Sequence, residues 1–311
     1  MNEELIILLH CDCDAAGCAL NIEYKMPNVR KKYFYTNYGD LPKKVQEIED
    51  YIKQHGNTHC LMADVSWSTH PNELHTMCNM FQKITLIDHH LYPDGFFENY
   101  PKLKVHWDKS KCATLLCYEY FNNQNENLYK LSKLIDVYDI WQDSHSAFDI
   151  SQDLNRFFWE IGMQKFVEDC ISSGYTLPYY YKSVVDSITS RYTEAILKYE
   201  NRKLIHRTDK ITLAFVDDWF NEILVQEMKN GKDFVINGTS FGIMKIRINN
   251  KANITPEMKD NLRLILTGTK DIGHQNAFTY KMKNSVSFEN VMNEMKYIVQ
   301  NINDICYKDK I

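Results

Sequence analysis

The chain has 311 residues, 44% of them apolar and 25% charged, with a formal net charge of −5. That length suits one large α/β domain or two moderate ones, and the acidic balance argues against a long basic track for nucleic acid, though not against a small anionic substrate at a metal site. No stretch approaches the roughly 20 apolar residues that span a bilayer, and the nine cysteines form neither a secreted-type framework nor a Cys-x-x-Cys pair, so the expectation is a cytoplasmic protein with no membrane contact.

In chain order, three short apolar runs each end in residues able to bind metal. Leu5 to Leu9 runs into His10-Cys11-Asp12-Cys13-Asp14, Cys60 to Ala63 into Asp64, and Ile84 to Ile87 into Asp88-His89-His90. Continuous apolar runs of four or five residues read as buried strands of a parallel sheet. Helical spacings lie between and after them: Leu41, Val45, Ile48 and Ile52, then Ala113, Leu116, Cys117 and Tyr120. Leu134 to Trp141 sits near the end of a further helix and carries Asp136 and Asp139. Strand–helix alternation implies right-handed βαβ units. Sites in such sheets form outside the carboxyl ends of the strands, which is where all three polar clusters fall.

Residues 182–205 read as one helix, with Val185, Ile188, Tyr192, Ala195, Ile196 and Tyr199 on an apolar face. Beyond it a second unit begins. Ile211 to Val216 and Asp233 to Ile236 are strand-like, and Asn221 to Met228 is helical. Met244, Ile246 and Ile248 alternate with Lys245, Arg247 and Asn249, as in a strand with one wet face. Thr255-Pro256 starts a helix, and residues 288–302 form a last amphipathic one. The expected fold is α/β in two domains: a mainly parallel sheet with helices on both faces over 1–181, a linker helix over 182–205, and a smaller α/β domain over 206–311.

The chemistry lies in the clusters. In an extended segment His10, Asp12 and Asp14 point the same way, and crowded carboxylates repel one another unless cations neutralise them. Oxygen ligands with one or two imidazoles suit Mn²⁺ or Mg²⁺ better than a sulfur-rich zinc site. Cys11 and Cys13 are read as small buried fillers rather than ligands. An acid at one strand end is commonly a helix cap; three successive strand ends carrying acids and histidines are not explained by capping.

The segments "HCDCDAAG", "MADVS", "LIDHH" and "LIDVYDIW" resemble, in order and spacing, the four motifs of the DHH phosphoesterases. "CATLLCYEYF" and "YDIW" are similar to segments of the small oligoribonuclease (nanoRNase) branch, which has cyclic-nucleotide phosphodiesterase relatives. The resemblance covers most of 5–160 and, more faintly, 210–285. It implies two divalent cations, Mn²⁺ before Mg²⁺. His10 and Asp12 would hold one and Asp14 and His89 the other, with Asp64 between them and Asp139 completing the second set; Asp136 competes for that last place. Asp88 would orient His89, and His90 would face the scissile phosphate. The family usually has Gly after the last acid of its first motif, where this chain has Ala15.

Thr267 to Ala277 resembles the glycine-rich loop of the domain that accompanies DHH domains, with its glycines thinned to Gly268 and Gly273. Gly273, His274 and Asn276 would touch substrate there. Arg247, on its wet strand face, is a candidate for a bidentate phosphate contact. The leading expectation is an exonuclease that degrades short oligonucleotides to mononucleotides. The alternatives are a cyclic mono- or dinucleotide phosphodiesterase, a single-strand-specific DNA exonuclease, and an inactive nucleotide-binding protein. A homodimer is compatible with any of them.

Overall fold

The computed structural model describes residues 4–56, 59–270, 276–282 and 287–307. The chain divides into two compact units, Met1–Asp186 and Ser187–Ile311.

The first unit is built on a five-stranded, wholly parallel sheet of β1 (Leu5–Leu9), β2 (Lys31–Tyr35), β3 (His59–Ala63), β4 (Lys83–Asp88) and β5 (Leu103–Trp107). Its helices are α1 (Cys13–Lys25), α2 (Leu41–His55), α3 (Pro71–Met80), α4 (Ala113–Tyr120), α5 (Glu126–Asp139), α6 (Phe148–Ile161), α7 (Met163–Ser172) and α8 (Tyr181–Asn201), the division between units falling within α8. The apolar strand runs are continuous because both faces are covered. Ile6 and Leu8 pack with Leu41, Val45 and Ile48 of α2 and with Leu74 and Met77 of α3. Ile7 and Leu9 face the other way, onto Ala15, Cys18, Ala19 and Ile22 of α1 and Ala113, Leu116 and Cys117 of α4. A fully buried side chain of this size contributes about 1.5–3 kcal/mol, so alternate residues of each central strand anchor opposite layers.

Two strands go beyond the three runs read from sequence. β2 and β5 are the sheet's edges, and each alternates apolar with charged or half-exposed residues: Phe34 is the one buried residue of Lys31–Tyr35. The strand order is β2-β1-β3-β4-β5. The chain therefore starts mid-sheet, moves to one edge, returns past β1 and continues to the other edge. Order reverses between β1 and β3, and a crevice opens at such a switch point beyond the strand ends. His10 follows β1 and Asp64 follows β3, so the topology sets these two side by side.

The first motif differs from the extended segment expected. β1 stops at Leu9 and α1 starts at Cys13, with Asp12 as its N-cap accepting from the Ala15 amide at 3.0 Å. The segment Cys13 to Ile22 is buried throughout and holds Ala15, Ala16, Ala19 and Leu20, strong helix formers that favour helix over a continued strand. Gly17 permits this helix to lie close to α4 and α5: a Cβ there would stand 2.1 Å from Thr114 Oγ1 and 2.7 Å from Ile135 Cδ1.

The second unit has a mixed sheet, β10-β9-β8-β7-β6. Its strands are β6 (Ile205–Arg207), β7 (Ile211–Ala214), β8 (Phe234–Gly238), β9 (Ile243–Ile248) and β10 (Ala277–Lys281), and its helices α9 (Phe220–Lys229), α10 (Pro256–Thr267) and α11 (Phe288–Ile302). β7 and β8 are parallel and the other pairs antiparallel. Met244, Ile246 and Ile248 face a core with Leu262, Val291, Met295 and Ile298. Thr255 caps α10 through the Met258 amide. The expected wet face is only partly wet: Lys245 and Arg247 are half-buried, and Asn249 is buried with its amide on the carbonyls of Met228 and Lys232. Among the described residues, no helix is long and apolar enough to cross a membrane.

Gly17→Ala tests the close approach of α1 to α4. Overpacking of this kind costs about 1–3 kcal/mol, which outweighs the gain of about 1 kcal/mol from replacing glycine in a helix. Urea unfolding should therefore show a net loss of stability; a more stable variant would contradict the packing.

Candidate metal centre

The polar residues at the strand ends meet as three overlapping groups whose ligand atoms lie within 4.8 Å of one another: His10, Asp12 and Asp64; Asp14, His89 and Asp139; and Asp64, Asp88, His89 and His90. β1 delivers His10, and the turn into α1 delivers Asp12 and Asp14. β3 ends one residue before Asp64, β4 carries Asp88 as its last residue, and α5 ends on Asp139. Asp64 has φ of 57°, the left-handed region that an aspartate tolerates better than most residues. That turn aims its carboxylate between the two main groups.

The distances fall into two sets. His10 Nδ1 is 2.8 Å from Asp12 Oδ2 and 3.9 Å from Asp64 Oδ2. His89 Nε2 is 3.5 Å from Asp14 Oδ2, 3.4 Å from Asp64 Oδ1 and 3.4 Å from Asp139 Oδ2. Three carboxylates thus surround one imidazole nitrogen, and Asp64 presents a different oxygen to each histidine. Adjacent ligands of a cation with bonds of about 2.0–2.1 Å stand about 3 Å apart, close to the separations of His89 Nε2 from the three carboxylates.

Electrostatics point the same way. Burial, then the charges of Asp12, Asp14 and Asp139, raise the Asp64 carboxyl well above its ordinary range. Asp139 is raised by burial and by Asp14 and Asp12. Burial and the neighbouring His90 lower His89, which favours the neutral ring a metal requires. Burial works against ionisation of Asp12, but the His10 charge and hydrogen bond outweigh it and hold the carboxyl low. Asp64 Oδ2 and Asp139 Oδ2 are buried and accept no hydrogen bond among the described residues. Buried carboxylate oxygens without donors, one in each ligand group, suit divalent cations. No cysteine joins any of the groups among the described residues.

Asp14 has a second task. Its Oδ2 accepts from the Ala113 amide at 2.8 Å and its Oδ1 from the Thr114 amide at 2.7 Å, while the Thr114 hydroxyl donates to the Asp14 carbonyl at 2.6 Å. The N-terminus of α4 thereby clamps a carboxylate of the centre, as helix termini do for anions. Asp136 lies apart: it accepts from the Cys112 amide at 2.8 Å and from Lys133 and Gln142 at 3.3 Å. Of the two fourth-motif acids, Asp139 stands beside His89.

One expected role changes. Asp88 Oδ1 is 2.8 Å from Nδ1 of His90, and its Oδ2 accepts from the Tyr92 hydroxyl. The ring Asp88 orients is therefore His90 rather than His89. Burial opposes charge on His90, but Asp88 raises its pKa by its charge and hydrogen bond, and Asp88 itself, despite burial, is held down to about 2 by His90. Trp107 Nε1 donates to the His90 carbonyl at 2.7 Å. Thr114, Tyr92 and Trp107 were not legible as site residues, because each acts across the fold on a residue distant in sequence or through a side-chain direction that spacing does not fix.

In the second unit, Gly273 and His274 lie outside the described residues. Arg247 Nη1 donates to the Ile246 carbonyl at 3.1 Å. Asn276 accepts from Lys259 Nζ at 2.6 Å and donates to Asn250, which makes it a brace where β10 begins.

No protein-family model matches this chain, and no curated protein is found similar to it. Among solved structures, exonuclease RecJ bound to manganese is similar with a TM-score of 0.54 at 12% identity, over 98% of this chain and 93% of that one. RecJ from Thermus thermophilus in complex with Mn²⁺ has a TM-score of 0.53 at 13% identity; the match takes 96% of this chain and 52% of that one. An uncharacterized protein from Helicobacter pylori is 20% identical over 96% of this chain and 100% of that one, with a TM-score of 0.45. The fold is thus RecJ-like.

Mn²⁺ at about 100 times its dissociation constant should stabilise the protein by about 2.7 kcal/mol, read as a rise in Tm of roughly 5–10 °C. Asp139→Ala should abolish most of that rise. Asp136→Ala should keep it but lower the metal-free Tm, because a buried amide left without its acceptor costs about 1–3 kcal/mol. A full Mn²⁺ response in Asp139→Ala would overturn the ligand placement.

Proposed function

We propose that the first unit hydrolyses phosphodiester bonds with two divalent cations, Mn²⁺ before Mg²⁺, and that its substrate is a short oligonucleotide degraded from an end to mononucleotides. The observation that carries this reading is the place of Asp64. It belongs to the His10–Asp12 group and also stands 3.4 Å from the imidazole that Asp14 and Asp139 share, so one carboxylate joins two adjoining ligand sets. His10, Asp12 and Asp64 would hold one cation; Asp14, His89, Asp139 and Asp64 would hold the other.

When bound, such cations lower the pKa of water and offset charge on the phosphoryl oxygens. The remaining work belongs to the chain. Asp88 keeps Nδ1 of His90 engaged, which directs Nε2 to donate to a non-bridging phosphate oxygen as negative charge builds there. The α4 amides on Asp14 fix the second ligand set before substrate arrives, so little reorganisation accompanies the reaction.

The fold supports an exonuclease, since the similar structures include an exonuclease RecJ bound to manganese. The net charge of −5 favours a substrate of few phosphates over a long strand, whose binding draws on many cationic contacts. In the second unit we propose Arg247 as a phosphate contact. It stands on the same strand face as Lys245, whose pKa is lowered by burial and then by the Arg247 charge; an anion there would relieve both.

The test is a panel with Mn²⁺: end-labelled RNA and DNA of two to twenty nucleotides, cyclic mono- and dinucleotides, and pyrophosphate. We expect the shortest linear oligomers to turn over fastest and mononucleotides to accumulate. Rates that climb beyond about ten nucleotides would point instead to a strand-tracking exonuclease, and turnover of cyclic substrates alone to a cyclic-nucleotide phosphodiesterase. Asp64→Ala or His89→Ala should lower kcat/KM by roughly 10³-fold, the equivalent of several kcal/mol of metal stabilisation, with the fold retained by circular dichroism. Asp64→Gly should be as inactive yet no less stable than Asp64→Ala, because glycine adopts the positive φ freely.

A further inference from the structure

We infer that Tyr92 is a positioning residue for His90, acting through Asp88; the inference rests on the function proposed above. Tyr92 follows β4 by four residues, and its hydroxyl sits where three segments meet. It donates to Asp88 Oδ2, accepts from the Trp67 amide at 3.2 Å and lies 3.3 Å from the Val65 carbonyl. A hydroxyl has one proton to give, and Asp88 is its closest acceptor. Asp88 is fully buried, so its two oxygens need two donors: His90 Nδ1 supplies one and the Tyr92 hydroxyl the other.

Without the hydroxyl, Asp88 would lose one of the two contacts that fix its plane, and the imidazole it orients would lose its bearing. The Trp67 amide belongs to the loop that begins at Asp64, so this one hydroxyl also ties the loop of the shared carboxylate to the acid behind His90. The ring is held independently. Its centroid is 4.9 Å from Phe96, 4.6 Å from Phe97 and 6.5 Å from Trp107, whose indole N–H bonds the His90 carbonyl. Tyr92→Phe therefore removes the hydroxyl and keeps the aromatic packing. Outer partners that orient a site residue are typically worth about 10- to 100-fold in activity.

The experiment is a double-mutant cycle of Tyr92→Phe with His90→Ala on the Mn²⁺-loaded protein, with Tm and Mn²⁺ affinity measured for every variant. We expect Tyr92→Phe to lower kcat about 10-fold or more, with KM and Mn²⁺ affinity within about twofold, and to cause no further loss in the His90→Ala background. Unchanged kcat, or an equal loss in both backgrounds, would overturn the inference. A second readout does not depend on turnover. In the Mg²⁺-loaded protein the Nδ1–H of His90, assigned by its absence in His90→Ala, should give a downfield proton resonance that moves or broadens in Tyr92→Phe; an unmoved resonance would equally refute the coupling. If the wild type hydrolyses nothing, the proposed function falls, and this resonance alone decides the role of Tyr92.

Discussion

Three carboxylates, from Asp14, Asp64 and Asp139, converge within 3.5 Å of Nε2 of His89, and that crowding governs the surrounding structure. Two like charges 4 Å apart repel by about 4 kcal/mol at an effective dielectric constant of 20, a sizeable fraction of a domain's net stability of about 5–15 kcal/mol. Such a cluster persists only if protons or cations neutralise it and if the scaffold holds each carboxylate from behind. The holding is visible. The first amides of α4 grip Asp14, the α1 amide of Ala15 grips Asp12, and the left-handed turn at Asp64 aims its carboxylate. Gly17 allows the two helices that supply these grips to come close enough.

The sheet order explains why the candidate ligands meet although they span more than a hundred residues of sequence. Reversal between β1 and β3 opens one crevice at the carboxyl edge. The three adjacent strands β1, β3 and β4 each stop one residue short of a candidate ligand: His10, Asp64 and His89. Helix α5 then brings Asp139 to the same place, ending where the strands end. The division of labour between Asp136 and Asp139 follows from helical geometry. Three residues apart, they lie about one turn apart, and only the later one reaches the centre while the earlier holds the Cys112 amide.

His90 is held by partners of its own. Its ring is fixed by the buried Asp88 and its carbonyl by the Trp107 indole, and neither support is one of the three carboxylates around His89 Nε2.

The central strands, the helical cover on both faces of the first sheet and the polar strand ends were legible in the sequence because apolar runs and their abrupt polar stops report two-sided burial directly. The likeness of the four motifs added an expected grouping of the candidate ligands. Edge strands β2 and β5 were not legible, since an edge has too little burial to write a continuous apolar pattern. Nor were the helical start at Cys13, the clamp of α4 on Asp14 or the turn of Asp88 toward His90. The sequence by itself determined which residue types gather at the strand ends and therefore the chemistry available there. Only the tertiary structure decided which carboxylate faces which imidazole, because that depends on helix phase, backbone turns and amide donors brought in from a hundred residues away, none of which local spacing encodes.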